Sequence, residues 1–350
     1  MIFFKVQSFV KDYKSADDVR EIIKELEKNK STIKIVDLSD NNYYPEAFKA
    51  IMNTIKGLNR LETIKVDSIC GGLDKDMITE NIKSLYESVV GRIKSIDLNS
   101  NALSANFPEE LCKLIEDSPI EHLDLRNCGL GNDGIERIEK CLINKKKLSY
   151  LSLAKNGANY FSESFGETIS KLTNLKTLNL GSNYIQTDMS FLFDLFSKLN
   201  LKSLDISGFM IDDDIKLKEY IHSSTLDSLA ARDIKSSDSE VIYKLLEFLS
   251  SKPEVKYMPG SLQDKEELYL DISFNYLSDE EEGRAYNNLI KVAKRYSLTK
   301  LLIYGCDIID EREDFSELKS LIKGELVLEK PKPVDLKDVT SLAKDVKELL

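Results

Sequence analysis

The chain has 350 residues, 42% apolar and 31% charged, which fits a folded protein and excludes a disordered one. With 49 Lys and Arg against 60 Asp and Glu, the net charge is −11. That balance excludes a general phosphate-binding surface, so no nucleic-acid partner is expected, and it favours a basic protein partner.

The start, MIFFKVQSFVKDYK, has too short an apolar core for a secretory signal and reads as part of the fold. Ser15-Ala16-Asp17-Asp18 reads as an N-cap before the helical stretch VREIIKELEK. Residues 1–32 are therefore expected to form an N-terminal capping half-unit. From Ile33 the pattern LxxLxLxxN takes over. It starts at Ile33, Leu61, Ile93, Ile120, Leu148, Leu175, Leu201 and, more weakly, Leu226, with spacings of 25 to 32 residues. Two later copies end at Asn275 and Cys306. Such self-similarity is the signature of a leucine-rich repeat of the longer kind, one strand plus one helix per unit. The intervening segments PEAFKAIMNTIKGL, PEELCKLIEDS, DGIERIEKCLINK and EGRAYNNLIKVAKRY carry apolar residues three and four apart, as amphipathic helices do. The expected fold is an α/β solenoid, a crescent with parallel strands inside and helices outside. The array spans 33–325, about 10–11 units. It is irregular at 235–266, where a degenerate repeat could begin near Val255. The remainder, 326–350, reads as a tail in which VDLKDVTSLAKDVKELL forms a short helix that caps the array or projects from it.

Five scattered cysteines, odd in number and without a CxxC pair, point to a reduced, cytoplasmic chain with no disulfide framework and no zinc site. The sequon Asn29-Lys30-Ser31 reads as chance. No apolar run approaches the roughly 20 residues of a membrane span. His122 and His222 lack the context of a catalytic triad or a metal motif, and GGLDKD is not a phosphate loop, so no metal, cofactor or self-sufficient active site is expected.

The ninth residue of each repeat should turn inward and satisfy backbone groups in the turn. Asn41, Asn101, Asn156, Asn183 and Asn275 hold that place, and so do Cys128 and Cys306. Asn127, the eighth residue of its repeat, then faces solvent. The same place elsewhere holds Asp40, Ser68, Ser100, Lys155, Ser182 and Gly208, so the position reads as unconstrained. Asn127 is either a functional residue or an ordinary surface asparagine. The fifth position reads Asp37, Lys65, Asp97, Asp124, Ser152, Asn179, Asp205, Ala230 and Asp271. Its aspartates are either solubility residues or a negative groove that steers a basic partner. The longest spacing, 32 residues from Leu61 to Ile93, assigns an extra loop to Cys70–Asp76, either a binding loop or a tolerated insertion.

These residues resemble the Ran GTPase-activating proteins, leucine-rich-repeat activators of the nuclear-transport GTPase Ran. The likeness covers most of 15–325 by repeat layout. It is carried by SADDVREIIKEL, IKIVDLSDNNYYPEAFKAI, SICGGLDKDMI, PIEHLDLRNCGLGNDG and DISFNYLSDEEEG. It implies a monomer that binds Ran in its GTP state. It also implies that Asn127 braces the GTPase's own glutamine, which orients the attacking water without an arginine finger. Lys75 and Asp76 match the family's long loop, whereas Leu73 stands where the family carries a supporting arginine. Family members often end in an acidic segment, and here the tail is balanced in charge. Asp40, Ser100 and Arg126 join the expected interface by their place in the repeat, and Asp97 and Asp124 by the stripe. The alternative reading is a binding scaffold that does not activate: a GTPase binder, a ribonuclease-inhibitor-like protein, or a bacterial effector.

Overall fold

A computed structural model describes residues 2–7, 10–237, 240–253, 265–279 and 283–330. Each unit opens on a short strand: β1 (Phe3–Lys5), β2 (Ile35–Asp37), β3 (Thr63–Lys65), β4 (Ser95–Asp97), β5 (His122–Asp124), β6 (Tyr150–Ser152), β7 (Thr177–Asn179), β8 (Ser203–Asp205), β9 (Ser228–Ala230), β10 (Glu267–Asp271), β11 (Ser297–Leu302) and β12 (Glu325–Val327). All pair in parallel and in sequence order, forming one 12-stranded sheet. Helices return the chain: α1 (Arg20–Lys28), α2 (Pro45–Ile55), α3 (Lys75–Val89), α4 (Glu109–Asp117), α5 (Gly131–Leu142), α6 (Glu163–Ser170), α7 (Phe191–Phe196), α8 (Asp214–Ser223), α9 (Val241–Ser251) and α10 (Arg284–Arg295). Neighbouring strands sit about 4.8 Å apart, whereas packed helices need about 8–10 Å. One layer of each cannot stay flat, so the array curves with the strands on the concave side.

The repeat's three apolar positions supply the core between the layers. Leu148, Leu151 and Leu153 of one unit are each 0% exposed, and burying such a side chain is worth roughly 1.5–3 kcal/mol. The core runs unbroken from Phe4 to Ile322.

Buried asparagines stitch the turns together as the repeat pattern predicts. Asn156 Oδ1 accepts from the backbone amides of Cys128 at 2.9 Å and Leu130 at 3.4 Å, while its Nδ2 donates to the carbonyls of Leu125 at 2.8 Å and Leu153 at 2.9 Å. Asn101, Asn183 and Asn275 repeat the arrangement. Cys128 keeps the donor half only, its Sγ donating to the Leu98 carbonyl at 3.2 Å, and Cys306 does the same toward Ile272 at 3.3 Å.

Several expectations change. Residues 1–32 supply a strand as well as a helix, because β1 pairs in register with β2, Phe3 opposite Ile35. No side chain of Ser15–Asp18 caps the helix; the Asp18 carboxylate instead accepts from the preceding amides of Lys14 and Ser15, both at 2.9 Å, and fixes the turn before it. The extra length of the third unit lies in its helix. α3 has 15 residues against 11 in α2 and 9 in α4, so Lys75 and Asp76 stand in a helical first turn, not a loop. β9 pairs directly with β10, Ser228 opposite Tyr269. Val255 and the expected terminal helix lie outside the described residues. β12 carries the array to Val327.

Candidate protein-binding rim

Where each strand exits, the chain turns through the eighth position. That residue is left-handed in every described copy from the unit at Ile33 onward: φ is 59° at Asp40, 53° at Ser68, 57° at Ser100, 52° at Asn127, 57° at Lys155, 58° at Ser182, 48° at Asp233 and 61° at Phe274, with glycine at 208 and 305. The cause is the ladder between turns. Every eighth-position amide from Asp40 to Phe274 donates to the seventh-position carbonyl of the next repeat, as Ser100 does to Arg126 and Asn127 to Ala154, both at 2.9 Å. The expectation that this place is unconstrained is therefore corrected. Left-handed backbone favours glycine, asparagine and aspartate, so the fold itself gives a reason for an asparagine at 127. Function by elimination does not hold for Asn127.

What remains is its outward amide. Asn127 is exposed. Its Nδ2 donates to Ser100 Oγ at 3.1 Å, and Ser100 Oγ donates in turn to Asn99 Oδ1 at 3.0 Å. This chain leaves Asn127 Oδ1 without a partner among the described residues, facing solvent and held in direction. Asp40 is exposed on the same rim, and so are Lys75 and Asp76 at the start of α3.

The fifth-position aspartates do not form a free negative stripe. Each carboxylate accepts from the amide two residues on: Asp37 from Ser39 at 3.1 Å, Asp97 from Asn99 at 3.1 Å, Asp124 from Arg126 at 3.0 Å, Asp205 from Ser207 at 2.9 Å and Asp271 from Ser273 at 3.1 Å. These are Asx turns that end the strands. Four of the five also meet a cation: Lys5 pairs with Asp37 at 3.0 Å, Arg126 with Asp124 at 2.6 Å, and Arg232 reaches Asp205 at 3.6 Å and Asp271 at 3.5 Å. Asp124 is only 2% exposed, and Arg126 folds down onto it, its Nε donating to both carboxylate oxygens at 2.9 and 2.8 Å. That contact raises the Arg126 pKa. Asp124 and Arg126 therefore spend their charges on each other.

Asp97 is the exception, with no ion pair among the described residues. Burial, with the neighbouring Asp124 and Asp67, lifts its carboxyl to about 6. Burial also raises Asp67, against a hydrogen bond from Ser39. Leu73 is half-buried and packs on the core.

Two features were not anticipated. His122 and Tyr150 are opposed in register on β5 and β6 and stack at 4.0 Å on the concave face. Burial lowers the His122 pKa. Phe274, a bulky residue at a left-handed eighth position, is 46% exposed and meets Tyr304 edge-on at 5.1 Å. Both were visible as aromatics at repeat positions that point outward. Among the described residues no group of three or more His, Cys, Asp or Glu could hold a metal, and no helix is long and apolar enough to cross a membrane.

No protein-family model matches the chain, and no curated protein matches it. Among solved structures it is similar to one described as "Crystal structure of TLR13-ssRNA13 complex", at 19% identity and a TM-score of 0.44, covering 87% of this chain and 41% of that one. The chain thus spans less than half the length of that neighbour. In-register parallel strands, the asparagine ladder and the layer of returning helices make the chain a leucine-rich-repeat solenoid.

Proposed function

We propose that this chain is a protein-binding scaffold that grips a Ran-type small GTPase in its GTP state along the strand-exit rim and speeds its hydrolysis. Asp40, Ser100, Asn127, Lys75 and Asp76 make the contact. Asn127 holds the GTPase's own glutamine so that the attacking water is oriented. The observation that carries this reading is the fixed, outward Asn127 amide, whose Oδ1 is free while Nδ2 is tied to Ser100. An amide with a directed acceptor can orient another amide, and positioning of this kind lowers barriers by several kcal/mol. The resemblance in repeat layout supplies the partner. Asp97, lacking a cation of its own, is the concave carboxylate open to a basic side chain of that partner.

A second reading, a scaffold that binds without activating, is favoured by one observation. Leu73, at the place of the family's supporting arginine, is packed against the core and presents no guanidinium.

Calorimetric titration with Ran carrying a non-hydrolysable GTP analogue, and separately GDP, tests the partner. Binding that prefers the triphosphate form, weakens with salt and falls several-fold with Asp97→Asn supports the assignment. No heat with either form refutes it.

A further inference from the structure

Behind the rim, α4 and α5 of consecutive repeats lie side by side. Three rungs join them. Arg137 reaches Glu109 at 3.6 Å and donates to the carbonyls of Ala105 and Phe107 at 2.9 and 2.8 Å. One turn on, Cys141 Sγ donates to the Arg137 carbonyl at 3.1 Å, and the Cys112 and Cys141 thiols act on each other across the same seam. Just past the end of α5, Lys145 Nζ donates to the carbonyls of Glu116 and Ser118. The rungs therefore climb through 137, 141 and 145 on one side and 109, 112 and 116 on the other. Helical periodicity of three to four residues alone sets the two sulfurs opposite each other. Both cysteines are free, Cys112 6% and Cys141 3% exposed. The repeat ladder, which employs Cys128 and Cys306, has no use for either.

We propose that Cys112 and Cys141 are a redox-modification site, a thiol pair that two-electron oxidants of the hydrogen peroxide class close into a disulfide. The Cys112 thiolate attacks one peroxide oxygen. The O–O bond breaks, hydroxide leaves and takes up the proton Cys112 gave, and Cys112 becomes a sulfenic acid with release of one water. Cys141 then attacks that sulfur. Its thiol proton departs with the sulfenic hydroxyl as a second water, and the S–S bond forms. The two thiols lose two electrons and one peroxide becomes two waters. Cys112 is the attacking group on two grounds. It is the more exposed of the pair, and the neighbouring Cys141 thiol, with the Arg137 charge, holds its pKa below the usual thiol value despite burial and the Glu109 carboxylate. The same contact drives the Cys141 pKa upward. The cross-link ties together the two units that present Ser100 and Asn127.

The test treats the full chain with hydrogen peroxide, quenches it, blocks free thiols in denaturant and maps the peptides without reductant. The expected result is a monomer lighter by about 2 Da before blocking, with three of its five cysteines then blocked and one cross-link joining the Cys112 and Cys141 peptides. The urea midpoint should rise and should return with dithiothreitol, because a cross-link restricts the unfolded chain. Cys112→Ser, checked for folding by circular dichroism, should abolish both changes, and Cys306→Ser should leave the cross-link in place. A different cysteine pairing, a cross-link between chains, sulfinic acid at Cys112 without a bridge, or five thiols surviving doses that oxidise free cysteine would each overturn the proposal. The wild-type map decides even if a variant fails to fold.

Discussion

The Asn127 side-chain amide donates to the hydroxyl of Ser100 at 3.1 Å, joining the same position of two consecutive repeats whose backbones are both left-handed. Removing that side chain is a question about backbone as much as contact. With φ at 52°, Asn127→Ala should cost roughly 1 kcal/mol, because alanine keeps the strained Cβ and loses the short polar side chain that offsets it, while Asn127→Gly should leave the urea midpoint unchanged or higher. If glycine proves the more damaging of the two, the left-handed turn is not what selects the residue. Asn127→Gly is accordingly the clean way to delete the amide.

The buried ladder should be far more sensitive than the rim. The Asn156 side chain bonds five backbone groups while 2% exposed. Asn156→Ala should cost about 3 kcal/mol or more, since each orphaned group is worth about 1–3. Cys128→Ala, which removes only weak sulfur donors, should cost distinctly less. Urea unfolding of the two variants gives the comparison, and equal losses would contradict the ladder.

Asp97 makes stability depend on pH in an unusual direction. A carboxyl raised from 3.8 to about 6 binds its proton more tightly when folded, so this group adds stability as pH falls from about 6 toward 3.8. Asp67 is shifted the same way, chiefly by burial. Asp37 works oppositely. Burial pushes it up, but Ser39 and Lys5 outweigh that and hold it below 3.8, so its contribution is lost only in stronger acid. Asp97→Asn should raise the urea midpoint at pH 7 and flatten the rise between pH 7 and pH 4.5. An unchanged profile would show that Asp97 titrates normally.

Leu73 and its neighbours should separate by burial. Leu73→Ala should cost roughly 1–2 kcal/mol, less than the 2–5 of full burial, because the side chain is half-covered. Lys75→Ala and Asp76→Ala, on an exposed helical turn, should stay within about 0.5 kcal/mol. A silent Leu73→Ala would return that residue to the surface.

The fold was legible because three apolar positions in nine repeat in register, and the ninth residue has one physical task that Asn156 and Asn183 perform alike. The rim was legible as a place but not as a constraint. Asp, Asn and Gly hold five of the ten described eighth positions and are the residues that tolerate left-handed backbone, a signal misread as indifference. The aspartates at 37, 97, 124, 205 and 271 were read as surface charge, because an Asx turn is set by a carboxylate and the amide two residues on. Composition does not show that geometry. Lys75 and Asp76 were assigned to a loop because spacing reveals an insertion's length and not whether a helix absorbs it.

Single-turnover phosphate release from GTP-loaded Ran, with the wild-type chain and Asn127→Gly side by side, tests the central claim most directly. The account predicts strong acceleration by the wild type and its loss, by about a hundredfold or more, in a variant that still binds and folds. Acceleration that survives Asn127→Gly, or none from a wild-type chain that binds, would contradict it.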